Sequence, residues 1–283
     1  MRKAAIDVQD LTVRPRTLPL SWNPPSIRDV QAWVLQLSER GSSLLTMKGP
    51  NPIFRREAFN LCFDVPGLAI LGNTKNPQVW LEKGIRADLT QRVRGITHAP
   101  WGLFQELLIV PDFVVEEPLR GLIDQGFRFT GFYKALWEAR FLQQENRARE
   151  SLHLLGSVIR WMTGADLDDK QKAALSSVGI ACLLGESERL DMLLFLLALS
   201  YQNGLIDRAV FVLDGVDEVL RMNADRRKDM LRQLTETIQI FERWARLGSA
   251  TGLVLGLDSE HNALGSITHY NSRLGKKIAD ALV

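Results

Sequence analysis

Ala209-Val-Phe-Val-Leu213 runs straight into Asp214, Gly215, Asp217 and Glu218. An unbroken apolar run suits a strand buried on both faces of a parallel sheet. Carboxylates at its C-terminal end suit the crevice where open α/β sheets take ligands. Grouped so closely they repel one another, so a cation, a positive partner or water must offset them. The natural cation is Mg²⁺, which binds through carboxylate and phosphate oxygens. The plainer reading is a buried strand followed by an acidic turn.

A second stretch bears on phosphate. Ser43-Leu-Leu-Thr-Met47 reads as a buried strand, and Lys48-Gly-Pro-Asn-Pro-Ile-Phe-Arg-Arg-Glu57 follows it. A phosphate-cradling loop after a strand has the pattern G-x-x-x-x-G-K-[ST]. Gly49 matches the first glycine. Phe54 stands at the second glycine, Arg55 at the lysine and Arg56 at the hydroxyl residue. Phenylalanine fills the space that glycine leaves for close approach of backbone N–H groups. Pro50 and Pro52 remove two such donors. Arg55 keeps the charge as a broader fork, and Arg56 lacks the hydroxyl that would face Mg²⁺. These losses argue against ordinary ATP binding, unless Lys48 or Arg55 replaces the lysine. Gly67 to Thr74 has similar spacing, but its spacers are apolar, so it reads as a strand and turn.

The acidic segment resembles the Walker B segment of P-loop NTPases, and Leu-Asp-Gly-Val-Asp-Glu is closest to the AAA+ and STAND branches. The resemblance implies that Asp214 holds the metal's water shell and that Asp217 or Glu218 positions the attacking water. Thr251-Gly-Leu-Val-Leu-Gly-Leu257 then stands as the sensor strand, with Asp258 or Ser259 reading the terminal phosphate. Asn271-Ser-Arg-Leu-Gly-Lys-Lys277 looks like the Ser-Arg-Leu-Gly stretch of the initiator branch, which makes Arg273 a finger into a neighbouring subunit's site. Arg160-Trp-Met-Thr-Gly164, Val178-Gly179, Asn203-Gly204 and Leu213 to Glu218 together look like the arrangement in ATP-binding proteins of BREX-type phage-defence systems. The implied fold is α/β, a three-layer αβα P-loop NTPase fold with a mostly parallel sheet of about five strands. ATP and Mg²⁺ are the implied cofactors, and AAA+-type subunits, of this chain or another, are the implied partners. The helical lid of that family is missing or reduced here. The function expected is that of an assembly or regulatory subunit with an impaired nucleotide site. A weak ATPase and a DNA-binding adaptor are the alternatives.

Other elements must position these residues. Residues 1–26 read as an extended arm, because prolines interrupt any helix. Residues 27–283 form the α/β domain, with 100–160 as a helical insertion. Ser26 caps a helix from Ile27 to Glu39, with Ile27, Val30, Val34 and Leu37 on one stripe. Short helices are expected at Glu57–Phe63 and Gln78–Val93, and a strand at Leu68–Leu71. Phe104–Val110 fits helix or strand, and 111–131 is loop-rich. Phe127, Phe129, Phe132, Tyr133 and Trp137 suit core packing better than base stacking. A long helical region spans Phe132–Met162 with a break near Arg149, and a short helix follows at Asp166–Ser177. Ser187 caps Glu188–Gln202. Arg221–Leu247 forms a long helix whose Arg221, Arg226, Arg227, Lys228 and Arg232 offer a surface to DNA phosphates or to solvent.

The chain has 283 residues, 46 % hydrophobic and 24 % charged, with a net charge of +2. That suits a globular protein and gives little general attraction to nucleic acid. Cys62 and Cys182 sit in apolar contexts and read as reduced thiols. The longest apolar stretch, Met192–Leu199, is far short of a bilayer span. A cytoplasmic protein without a membrane segment is the expectation.

Overall fold

The computed structural model describes residues 32–33, 36–37, 43–49, 68–74, 100–181, 183–206, 208–258 and 262–282. The arm, the loop from Pro50 to Arg56, the helices expected at Glu57–Phe63 and Gln78–Val93, both cysteines and Ser259 lie outside the described residues.

The chain is α/β, as expected. Strands β1 (Leu44–Gly49), β2 (Leu68–Thr74), β3 (Arg208–Leu213) and β4 (Thr251–Asp258) form a parallel sheet in the order β1-β4-β3-β2. Among the described residues the sheet therefore has four strands, not about five. On the outer side of β1 the chain returns as a single parallel bridge, Thr46 to Leu282, with the Thr46 N–H donating to Ala281 at 2.7 Å.

Alternation along the strands divides the apolar residues between two faces. Leu44, Ala209, Phe211, Leu213, Leu253, Leu255 and Leu257 join the main hydrophobic core. On the other face, Gly252 lies under Trp33 and Leu37, both buried. A Cβ at Gly252 would stand 2.5 Å from the Trp33 ring, so the glycine lets the indole sit flat on the strand. Leu37 was expected on the buried stripe; Trp33 was not.

Between β2 and β3 stand α1 (Pro100–Ile109), α2 (Leu119–Gln125), α3 (Phe127–Gln144), α4 (Ala148–Thr163), α5 (Asp169–Ser177) and α6 (Glu186–Gln202). Of Phe104–Val110, all but Val110 resolve as helix. The segment 111–131 is less loop-like than its glycines imply, because α2 and the start of α3 occupy it. Gly131 lies within α3, and the Ile180 side chain stands 2.7 Å from where its Cβ would be, so the position takes glycine. The break near Arg149 falls at 145–147, between α3 and α4. Helix α6 begins at Glu186, not after Ser187: the Glu188 carboxylate accepts the Gly185 N–H at 2.8 Å, so Gly185 caps. Phe129 and Phe132 are buried and pack against Phe195, tilted and edge-on, which supports the core reading of those aromatics.

After β3 the long helix expected at Arg221–Leu247 is present as one helix that starts three residues later. A 3-10 turn, Val216–Arg221, precedes α7 (Ala224–Arg246), capped by Asn223, which accepts the Arg226 N–H at 3.0 Å. Phe241 of α7 meets Phe211 of β3 edge to face, with centroids 5.1 Å apart. Helices α8 (Ala263–Tyr270) and α9 (Ser272–Asp280) follow β4. No helix is long and apolar enough to cross a membrane among the described residues.

Candidate functional site

Strand order decides what stands beside what. From β1 the chain crosses to β2 at the far edge of the sheet. From β4, the neighbour of β1, it leaves the other way, to the bridge outside β1. Adjacent parallel strands that send the chain in opposite directions leave a crevice at their carboxyl ends.

The registers fill that crevice. Met47 of β1 pairs with Gly256 of β4, and Gly49 pairs with Asp258. Leu213 pairs with Leu255, so Asp214 comes level with Gly256. The Asp214 carboxylate occupies the space where a Cβ on Gly256 would stand. Asp214 is buried. β1 and β3 are separated by one strand, so Gly49 ends about 10 Å from Asp214. The end of the first strand and the double-aspartate tip thus share one pole of the sheet; the phenylalanine-and-proline turn expected beside that tip lies outside the described residues.

Gly215 turns the chain sharply after Asp214. Its φ of 70° is left-handed and favours glycine. The turn brings Asp217 back over β4, where its Oδ1 accepts the Asp258 N–H at 3.1 Å. Asp217 is buried and engaged with this backbone, while Glu218 is half-buried. Of the two carboxylates considered for orienting a water, Glu218 is the more accessible. Replacing Gly215 with alanine should cost about 1–2 kcal/mol from the left-handed backbone alone. Urea unfolding would show it as a lower midpoint with an unchanged slope.

Lys48 is not brought to the same place. It pairs with Leu257, one residue before Gly49, so its side chain projects from the face opposite Asp214 and Gly256. This counts against Lys48 as a substitute for the P-loop lysine. Arg55, Arg56 and Ser259 lie outside the described residues.

Four positions of the Asn271–Lys277 stretch have a structural reason. Asn271 accepts the Leu274 N–H at 3.0 Å and caps α9. Leu274 is buried. Gly275 lies against Thr268, whose Cα would be 2.6 Å from an added Cβ, so α8 and α9 pack in near-backbone contact. Lys277 pairs with Glu242 of α7. Ser272, Arg273 and Lys276 are exposed, and neither Arg273 nor Lys276 makes an ion pair among the described residues. Gly275→Ala should force α8 and α9 apart and lower the melting temperature, whereas Arg273→Ala should leave it unchanged.

Among the described residues no group of three or more His, Cys, Asp or Glu is placed to hold a metal. An all-protein metal cage is therefore not the mode these residues fit. A single buried carboxylate could serve Mg²⁺ only where phosphate oxygens and waters complete the coordination. In that mode Asp214 would hold the metal's water shell. The ion would neutralise phosphate charge.

Sequence reasoning missed Gly256. Its signal was present, as a glycine inside an otherwise apolar strand, which marks close approach of another group.

The chain matches no protein-family model, no curated protein and no solved structure.

Proposed function

We propose that this chain is a subunit of AAA+-like P-loop NTPase type whose own nucleotide site is impaired, acting as an assembly partner in a nucleotide-dependent complex. One observation carries the reading. The parallel order β1-β4-β3-β2 places Gly49, where the loop begins, and Asp214 at the same end of the sheet with only β4 between them. Asp214, held beside Gly256, is the metal-side carboxylate, and Glu218 is the group that faces water. Arg273, exposed on α9, is free to reach a neighbour. The impairment lies in the sequence of the loop: Pro50, Pro52, Phe54, Arg55 and Arg56 replace the donors, space and hydroxyl that phosphate and Mg²⁺ require.

The test restores the loop. Wild-type protein should show no shift in melting with ATP and Mg²⁺. A chain carrying Pro50→Ala, Pro52→Ala, Phe54→Gly, Arg55→Lys and Arg56→Thr should gain stabilisation, about 2.7 kcal/mol at 100 times the dissociation constant. Asp214→Ala in that chain should abolish the Mg²⁺-dependent part. A folded restored chain that stays blind to ATP would refute the P-loop reading. A clear shift in the wild type would instead establish the weak ATPase.

A further inference from the structure

We infer that Asp217 is a positioning residue: it fastens the acidic turn to the end of β4, so that the turn, Asp258 and helix α8 hold together as one unit. The fastening stands on contacts alone. What it positions, Glu218 beside Asp214, rests on the nucleotide reading.

Two carboxylates follow Gly215, and the fold treats them differently. Asp217 is buried, and its Oδ1 accepts the Asp258 N–H at 3.1 Å. That amide belongs to the last residue of β4, where strand pairing is one-sided. Asp258 pairs with Gly49 of β1, whereas the β3 ladder stops at Leu255. On the β3 side the chain has already turned away at Gly215, so backbone no longer meets the end of β4. The Asp217 side chain supplies an acceptor in its place. Bonds from an amide to a carboxylate are stronger than those between neutral groups.

The far end of the turn is tied as well. Arg227 of α7 donates to the Met222 carbonyl at 2.7 Å, and its guanidinium lies 4.5 Å from the centre of the Tyr270 ring, at the end of α8. Between the two ties, Val216 and Val219 are buried in the same core as Ala263 and Ile267 of α8. The turn therefore packs on α8 as well as on β4. Contiguous packed contacts of this kind open together rather than one by one. Glu218 lies between the two ties and is half-buried. A carboxylate that orients water needs an oxygen directed at that water. Asp217 has an oxygen committed to Asp258, so the role falls to Glu218.

Asparagine separates the two roles. It keeps an oxygen that can accept the Asp258 N–H, but it carries no charge and takes no proton from water. Alanine removes both capacities.

Residue-resolved hydrogen exchange on the full chain tests the fastening. Asp217→Ala should speed exchange at Asp258 and across 266–270 about tenfold or more, as expected for loss of a bond to a charged group, and leave α3 and α6 at wild-type rates. Asp217→Asn should stay within about threefold of the wild type, because the acceptor remains. Turnover tests the division of roles. In the chain with the restored phosphate loop, Glu218→Gln should lower Mg²⁺-dependent ATP turnover about 100-fold or more with ATP binding kept, and Asp217→Asn should lower it far less. Wild-type exchange at Asp258 in a folded Asp217→Ala chain would overturn the fastening. If Asp217→Ala does not fold, fast exchange at Asp258 in Asp217→Asn would overturn it. Equal losses of turnover in Asp217→Asn and Glu218→Gln would overturn the division of roles. A restored chain that binds no ATP would remove that division together with the nucleotide reading, while the exchange rates still decide the fastening.

Discussion

Asp191→Ala should unfold at much lower urea than the wild type, with a loss of about 3–5 kcal/mol. Asp191 is 4 % exposed and sits where three helices meet. Its Oδ2 accepts from Arg128 of α3 at 2.8 Å, and its Oδ1 accepts from Trp244 Nε1 of α7 at 3.0 Å and from Arg243. Removing the carboxylate strands the indole N–H of Trp244, which is fully buried. An unsatisfied buried donor costs about 1–3 kcal/mol. It also leaves two cations to find new partners. Arg128 retains Glu188, at 2.7 Å, and Arg243 is partly exposed, so the two arginines are cushioned unequally. Arg243→Ala should therefore cost far less than Asp191→Ala. Equal losses would show that the ion pair, rather than the buried indole, carries the effect.

Gly256→Ala should destabilise the chain by about 3 kcal/mol, the upper part of the range for overpacking a core. The added methyl meets the Asp214 carboxylate and stands 3.2 Å from the Asp214 Cα. β4 is paired on both sides, so its backbone cannot move away without breaking two ladders. The cause is separable by a double-mutant cycle. Asp214→Ala removes the colliding carboxylate, so the two changes together should cost less than their sum, by at least about 1 kcal/mol. Strict additivity would mean that the carboxylate does not occupy the face of Gly256. In a chain with a restored phosphate loop, Gly256→Ala should also weaken Mg²⁺-dependent ATP binding, since it displaces the proposed metal-side group.

The strands β3 and β4 were legible because each is a short apolar run bounded by glycine or charge. The carboxylates after β3 were legible as a group, but their division of labour was not. That Asp217 binds the Asp258 N–H while Glu218 stays accessible depends on a left-handed turn at Gly215 and on which strand lies next to β3. The helices of 132–177 were found with shifted ends, whereas the sequence of α1 fits helix or strand and that of α2 reads as loop. Gly121, Gly126 and Gly131 imitate a loop in the sequence, although Gly131 is small because Ile180 packs on it. The Ser-Arg-Leu-Gly stretch shows the same ambiguity. Its leucine and glycine are explained by burial and by the α8–α9 contact, which leaves the exposed Ser272 and Arg273 as residues the fold does not require.

Composition and periodicity by themselves determined an α/β chain, a buried strand ending in carboxylates and a first strand at Ser43–Met47, because apolar runs and breakers act over a few residues. Only the tertiary structure decided that these two strand ends share one pole, that Lys48 faces away from Asp214, and that Asp191 joins three helices. Pairing order and register arise from side chains far apart in sequence meeting in one core, and no local pattern encodes which of them meet.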